Sequence, residues 1–148
     1  MEGEGDPDCR RCFPWDDRSA WNMTLWAWYR DLAALRRKHL ALRRGEFLDL
    51  HADGDVFVFA RFIGTGAKDG SVLVVALHRG TTSLQPVSLT LPLWRAGVTH
   101  SCKARTVLSS AAAPGIGEVH CASGSLQLTL PAGEFVVMEV ETAAAASA

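Results

Sequence analysis

Four aspartates near the N-terminus, Asp6, Asp8, Asp16 and Asp17, are the side chains that most readily suggest catalysis. Two carboxylates can act as nucleophile and general acid when they lie about 5 Å apart and one of them has a raised pKa. Burial raises such a pKa, whereas water in a polar loop keeps carboxylates ionised. No later segment supplies a buried glutamate in an obvious cleft. The sequence therefore predicts no catalytic residue in this chain.

The cysteines suggest metal or redox chemistry instead. Cys9 and Cys12 form a CxxC motif, and Cys102 and Cys121 have histidines beside them, so a zinc set or a redox pair is one interpretation. The two segments around Cys102 and Cys121 lack the ligand spacing of zinc sites, and no strand and helix flank the CxxC motif as they do in a thioredoxin. Loop thiols and two strand cysteines are the simpler interpretation. We predict no metal and no cofactor, and the disulfide state of all four cysteines stays open.

A helix must position the N-terminal loop. Between Trp21 and Arg44 the apolar residues recur at three- or four-residue steps, which predicts an amphipathic helix. Asn22 or Ser19 is expected to cap its start, and it is expected to end near His39.

Four of the five tryptophans lie in or just before this helix and allow two interpretations. Exposed aromatic rings stack on flat ligands such as sugar rings, whereas rings aligned on one helical face are typical of packing. Packing in a core or an interface is favoured, because one predicted face carries large apolar side chains at helical spacing. That face consists of Trp21, Leu25, Trp28 and Leu32.

After Gly45 the pattern changes to short segments rich in Val, Leu and Phe, separated by turn signals. Segments of this spacing predict a mainly β fold, an antiparallel sandwich of about seven or eight strands. The segment 72–77 is apolar on both faces and is predicted to be a central strand. The predicted strands cover 47–51, 55–63, 71–78, 86–93, 103–108, 126–130 and 134–140.

Composition excludes several classes of function. The chain has 148 residues, 48% of them hydrophobic and 21% charged, and a net charge of -1, which is typical of a soluble globular protein. A basic cluster lies in the last turn of the helix and just after it, at Arg36, Arg37, Lys38, Arg43 and Arg44. The chain is nevertheless slightly acidic overall, so we predict no nucleic-acid partner. No apolar run approaches the roughly 20 residues of a membrane span, so we predict no membrane association and a cytoplasmic location.

Two strings carry a resemblance to a known family. GDPDCRRCFPWD, from Gly5, and WNMTLWAWYRDLAALRRKHLALRRGEF, from Trp21, resemble the last loop and helix of the (β/α)8 barrel of the α-amylase family of glycoside hydrolases. The resemblance is to its neopullulanase, cyclomaltodextrinase and maltogenic amylase branch, and the remainder resembles that family's C-terminal β-domain. It implies three regions: 1–44, the terminal loop and last helix of a truncated barrel; 45–142, a C-terminal β-sandwich; and 143–148, a disordered tail.

The resemblance also implies where the chemistry lies. The catalytic carboxylates of the family sit on earlier barrel strands, and the chain is expected to begin after them. Asp6 and Arg10 match loop positions that contact sugar hydroxyls, and they are the predicted substrate-binding residues. The residue types suit this role, because a carboxylate accepts from two vicinal hydroxyls and a guanidinium presents a rigid fork of donors.

The leading functional prediction is a non-catalytic accessory part of an α-amylase-type glycosidase. The alternatives are a stand-alone α-glucan-binding module and one subunit of a split hydrolase whose barrel is on another chain. The predicted partners are an α-glucan or cyclodextrin ligand, and a second copy or a barrel chain bound through the Trp-rich helix. Removing a barrel would uncover the apolar face of that helix, and such patches drive association.

Overall fold

The computed structural model describes residues 5–10, 12–64, 72–80, 85–110 and 118–142. They form two compact units, Met1–Leu35 and Arg36–Ala148. The predicted tail 143–148 lies outside the described residues, and the domain boundaries inferred from the sequence stay a prediction. Two α-helices and eight strands are described: α1 Met23–Lys38, α2 Leu40–Arg44, β1 Glu46–Asp53, β2 Val56–Phe62, β3 Val72–His78, β4 Val87–Pro92, β5 Cys102–Ser109, β6 Glu118–Ala122, β7 Ser125–Leu130 and β8 Phe135–Thr142.

Helix α1 begins and ends where its sequence predicts. Asn22 caps the helix, because its Oδ1 accepts a hydrogen bond of 2.9 Å from the backbone N–H of Leu25. His39, in an extended conformation, separates α1 from the short α2. The segment after the expected helix end near His39 is thus a further helical turn.

The apolar face of α1 does not form a core. No residue of this helix is buried, Leu25 and Leu32 are exposed, and Trp21 and Trp28 are half-buried. A loop and one helix are too small to enclose an apolar face within their own unit. Of the two kinds of packing expected, a core and an interface, this face therefore does not pack in a core within its own unit, and packing in an interface stays a prediction.

The eight strands confirm the predicted fold class. Every described strand pair is antiparallel, in the order β1-β2-β3-β8-β5-β6-β7-β4. The two end strands, β1 and β4, approach each other, so one sheet folds over and nearly closes. The predicted central strand is β3, which pairs with β2 on one side and β8 on the other. Strand β6 was not predicted.

The core lies between the folded halves of the sheet. Alternate positions of β2 and β3 point inward and are buried, as in Val58 and Ala60 on one strand and Val74 and Ala76 on the next. Leu126, Leu128 and Leu130 of β7 enter the same core from the opposite half. The period of two in β2 and β7 thus reports burial on one face, whereas the central strand β3 also buries Leu73 on its other face.

Polar contacts fasten α2 to the sheet. Arg61 of β2 donates to the carbonyl oxygens of Ala41 at 3.4 Å and Gly45 at 2.7 Å. A side chain at Gly45 would lie 2.7 Å from the carbonyl oxygen of Phe62, so only glycine allows this approach. The chain therefore passes from α2 into β1 along one fixed path.

A buried histidine, His39, connects the start of the sheet unit, Arg36–Ala148, to β8. His39 places Nδ1 3.5 Å from Glu139 Oε1, and Arg105 of β5 donates to the other oxygen of that carboxylate at 2.9 Å. The carboxylate is therefore held from both sides.

Candidate functional site

The two residues predicted to bind substrate contact each other. Arg10 donates from Nε to one oxygen of Asp6 and from a terminal nitrogen to the other, both at 2.6 Å. Both side chains are exposed and lie four residues apart in the sequence, and Arg10 ends a short 3-10 helix, Asp8–Arg10. The pair uses two of the five N–H donors of the guanidinium, so donors and carboxylate lone pairs remain for a hydroxyl-bearing ligand. A role in sugar binding stays a prediction.

An aromatic cluster follows this loop. The ring centroids of Phe13 and Trp15 are 4.7 Å apart, and those of Phe13 and Trp21 are 5.0 Å apart. Trp21 is fixed further by a hydrogen bond of 2.7 Å from its Nε1 to the carbonyl oxygen of Pro14. The cluster is preorganised but open, because Trp15 is 72% exposed.

The cluster continues into a shallow cavity of about 220 Å³ on the first two turns of α1. Trp26 and Tyr29 contribute exposed rings, and Tyr29 is 69% exposed. The guanidinium of Arg30 lies 5.2 Å from the centre of the Trp26 ring. Aromatic faces beside charged donors suit a ligand with one apolar and one polar face. The cavity is lined by Phe13, Trp21, Asn22, Leu25, Trp26 and Tyr29.

The loop aspartate with the most distinct environment is Asp17. Hydrogen bonds from the hydroxyl and the backbone N–H of Ser19, at 2.5 and 3.0 Å, lower the pKa of the Asp17 carboxyl. A general acid needs the opposite shift. Asp17 acts instead as the N-cap of a 3-10 helix, Arg18–Ala20.

A second cavity, of about 480 Å³, lies at one end of the sheet unit. Asp55 is buried there and accepts two hydrogen bonds from Arg79, at 2.9 and 3.1 Å. His78 and Glu134 also line the cavity. The sequence did not reveal this cluster, because its members come from three turns that are distant in the chain and show no motif spacing.

The cysteines fall into two classes. Cys102 and Cys121 are register partners on β5 and β6 and form a disulfide, whereas Cys9 and Cys12 are exposed free thiols. In the described parts of the chain no group of three or more His, Cys, Asp and Glu side chains has the arrangement of a metal site. Within those same parts, no helix combines the length and the apolar character that crossing a membrane requires.

Comparison with known proteins gives consistent matches, although no family model matches the chain. Neopullulanase 2 of Thermoactinomyces vulgaris is 34% identical over 130 residues, which is 88% of this chain and 20% of that protein. A cyclomaltodextrinase of Thermoanaerobacter pseudethanolicus is 41% identical over 75 residues, 51% of this chain and 12% of that enzyme. The chain thus spans a fifth or less of these relatives.

Solved structures agree with the sequence matches. A debranching enzyme of Nostoc punctiforme is 26% identical and superposes with a TM-score of 0.63 over 90% of this chain and 24% of the enzyme. An α-amylase of Anoxybacillus shares the fold, with a TM-score of 0.69 over 97% of this chain, 27% of that chain and 22% identity. By sequence and by fold, the chain belongs to the α-amylase family of glycoside hydrolases and spans only part of the enzymes that it matches.

Proposed function

We propose that this chain is a non-catalytic accessory part of an α-amylase-type glycosidase that acts on α-glucans. The observation that carries the proposal is that three carboxylates of this chain contact arginine side chains. Among the described residues, Asp55 and Glu139 are buried and each accepts hydrogen bonding from an arginine, and Asp6 forms an ion pair in the loop. These contacts support a structural role rather than acid–base chemistry.

The relatives support the substrate class. They are named cyclomaltodextrinase, neopullulanase and amylopullulanase, and this chain matches only a small part of each. A shared fold alone does not carry an activity, since catalysis resides in a site. The proposal therefore assigns hydrolysis to the part of such an enzyme that this chain does not match, and support of the enzyme to this chain.

A reducing-end assay tests the proposal. The purified chain is incubated with β-cyclodextrin and with pullulan, and a complete neopullulanase is the positive control. No product is expected from the chain alone. Steady product formation that is lost in Asp55→Asn would contradict the proposal, because it would place a working carboxylate in this chain.

Exposed aromatic rings favour a second candidate function, a stand-alone α-glucan-binding module. Trp15, Trp26 and Tyr29 are exposed, and the Asp6–Arg10 pair supplies hydroxyl-binding groups in the same unit. Titration of tryptophan fluorescence with maltoheptaose and β-cyclodextrin tests this function. Saturable quenching without product, lost in Trp26→Ala, supports a module; no quenching at millimolar sugar refutes it.

The same surface supports association as the third possibility. The exposed apolar residues of α1 suit contact with a second copy or with a barrel on a separate chain, as in a split hydrolase. Sedimentation of the chain alone distinguishes these two partners. A dimer that Leu25→Asp and Leu32→Asp convert to monomer supports self-association. A wild-type monomer that restores hydrolysis when mixed with a barrel chain supports the split enzyme.

A further inference from the structure

We propose that the outer face of the sheet binds helix α1 of a second copy of this chain, so that two chains pair and each helix covers the sheet of its partner. The inference rests on the association through α1 proposed above, and it names the surface that receives the helix. That surface, the outer patch, lies on β1, β2 and β3 and consists of Phe47, Phe57, Phe59, Val75 and Leu77.

Strand register places the outer patch on the side of the sheet that faces away from the core. Phe57 pairs with Leu77 in the register of β2 and β3, and two residues further along Phe59 pairs with Val75. Register partners on antiparallel strands project to the same side of a sheet, and residues two apart on one strand do so as well. Val58, which lies between the two phenylalanines, is fully buried on the opposite side.

The outer patch is apolar and exposed. The ring centroids of Phe47 and Phe59 are 5.1 Å apart, and those of Phe57 and Phe59 are 5.4 Å apart, so three rings form one continuous surface. Phe47 is 55% exposed, and Phe57 and Leu77 are each 39% exposed. A contiguous exposed apolar surface of this kind is typical of an interaction site.

Helix α1 carries an apolar stripe that matches the outer patch in size. Leu25, Tyr29 and Leu32 follow one another at four- and three-residue steps, so they lie on one helical face, and all three are exposed. The stripe is about 11 Å long. The outer patch extends over three strands and, along β2, from Phe57 to the register partner of Phe47, which is about 10 by 13 Å. One helix, about 10 Å across, covers such an area.

The exposed area is close to what a stable dimer needs. With about 200 Å² for a large side chain, the stripe and the three most exposed residues of the outer patch present about 600 Å² per chain. One partner contributes about 800 Å² to a stable interface, and the half-buried Phe59 and Val75 add to this area. Both surfaces belong to one chain, so a twofold axis makes the helix-on-sheet contact twice.

Charges at the margins agree with this pairing. Arg36 extends the stripe of α1 by one helical turn on the same face. Asp49 is exposed and is the register partner of Phe59, so it lies at the β1 margin of the outer patch. A docked helix can therefore bring a cation to this carboxylate. Arg30 and Asp31, which contact each other, lie away from the stripe and stay in solvent.

Sedimentation equilibrium of the full chain tests the proposal. The wild type is expected to dimerise with rising concentration, and Leu77→Asp is expected to raise the dimer Kd at least about tenfold, because it places a charge against the helix. Trp94→Asp is the matched control, since Trp94 is 58% exposed in the same compact unit but lies outside the outer patch. A wild-type monomer, or equal Kd values for the two variants, would overturn the proposal. The second outcome would still leave association through α1.

Mixing two variants distinguishes a helix-on-sheet contact from a contact between two helices or two sheets. Leu25→Asp/Leu32→Asp disrupts the stripe, Phe57→Asp/Leu77→Asp disrupts the outer patch, and each variant alone is expected to be a monomer. The equimolar mixture retains one intact helix and one intact sheet that can meet. It is expected to form a heterodimer, which sedimentation detects through a fluorescent label on one variant. A mixture that stays monomeric would overturn the proposal.

Folding and activity are checked on the same samples. Circular dichroism shows whether each variant keeps its sheet, and Phe57→Ser/Leu77→Ser replaces the aspartate pair if that pair unfolds. The reducing-end assay on the wild-type dimer tests the proposed lack of hydrolysis separately. Product formation would contradict the proposed function and leave the dimer contact standing, whereas a monomer without product would overturn only the contact.

Discussion

Loss of the Cys102–Cys121 disulfide is expected to lower the free energy of unfolding of the sheet unit by about 3 kcal/mol. The two cysteines are 19 residues apart in sequence, and closing a loop of that length in the unfolded chain removes entropy worth about 3 kcal/mol at 25 °C. Both residues are buried in the core between β5 and β6. The disulfide therefore joins strands that the native register already places together. It raises the free energy of unfolding mainly by restricting the unfolded chain.

The measurement compares oxidised and reduced protein. The chain is unfolded, reduced and refolded in reductant, because the native disulfide is shielded from reagents. Urea unfolding is then followed by far-ultraviolet circular dichroism, which reports the sheet. Cys102→Ala/Cys121→Ala is expected to behave like the reduced wild type, apart from the packing lost with two sulfur atoms. Cys9→Ser/Cys12→Ser is the matched control and is expected to be as stable as the oxidised wild type.

Counting thiols provides an independent check. Two reactive thiols are expected per native oxidised chain, from the exposed Cys9 and Cys12. Four thiols, or an unfolding midpoint that does not respond to reductant, would refute the reasoning. Because the cytosol keeps such bonds reduced, the same count on chain alkylated during cell lysis also tests the predicted cytoplasmic location.

Three further predictions concern single sites. Glu139→Gln should lower the free energy of unfolding by about 1–3 kcal/mol, because it weakens the contacts of this carboxylate with His39 and Arg105. Glu141→Gln removes a more exposed carboxylate and should change the free energy of unfolding by less than about 0.5 kcal/mol. Equal losses for the two variants in urea unfolding would contradict this prediction. Gly80→Ala should lower the free energy of unfolding by more than about 1 kcal/mol, because the φ of Gly80, +68°, is left-handed. The added Cβ would also lie 2.6 Å from the backbone nitrogen of Gly133. An unchanged melting temperature would refute this prediction. Ser19→Ala should raise the pKa of Asp17 toward its ordinary value, which pH titration by NMR measures. In the wild type this contact stabilises the fold above the pKa that Asp17 has in the unfolded chain, and the stabilisation is lost as pH falls through the lowered pKa of the folded chain. An unchanged pKa in the variant would show that the contact is absent.

Local patterns in the sequence were sufficient for most of the described elements. The helical spacing after Trp21 and the cap at Asn22 depend on interactions within a few residues, and α1 forms where they indicate. The alternation of apolar residues predicted seven of the eight strands for the same reason. Strand β6 was missed because Glu118–Ala122 is short and mixes polar with apolar residues, and its pairing with β5 and β7 makes it a strand.

The amino-acid sequence by itself determined the family, the antiparallel β class and the ends of α1, because motif identity, side-chain period and capping are properties of neighbouring residues. The tertiary structure decided everything that depends on strand register. Register brings Cys102 opposite Cys121 and His78 opposite Glu134, and it buries Glu139 between His39 and Arg105. These contacts join residues far apart in the chain, and no local spacing encodes which strands will meet.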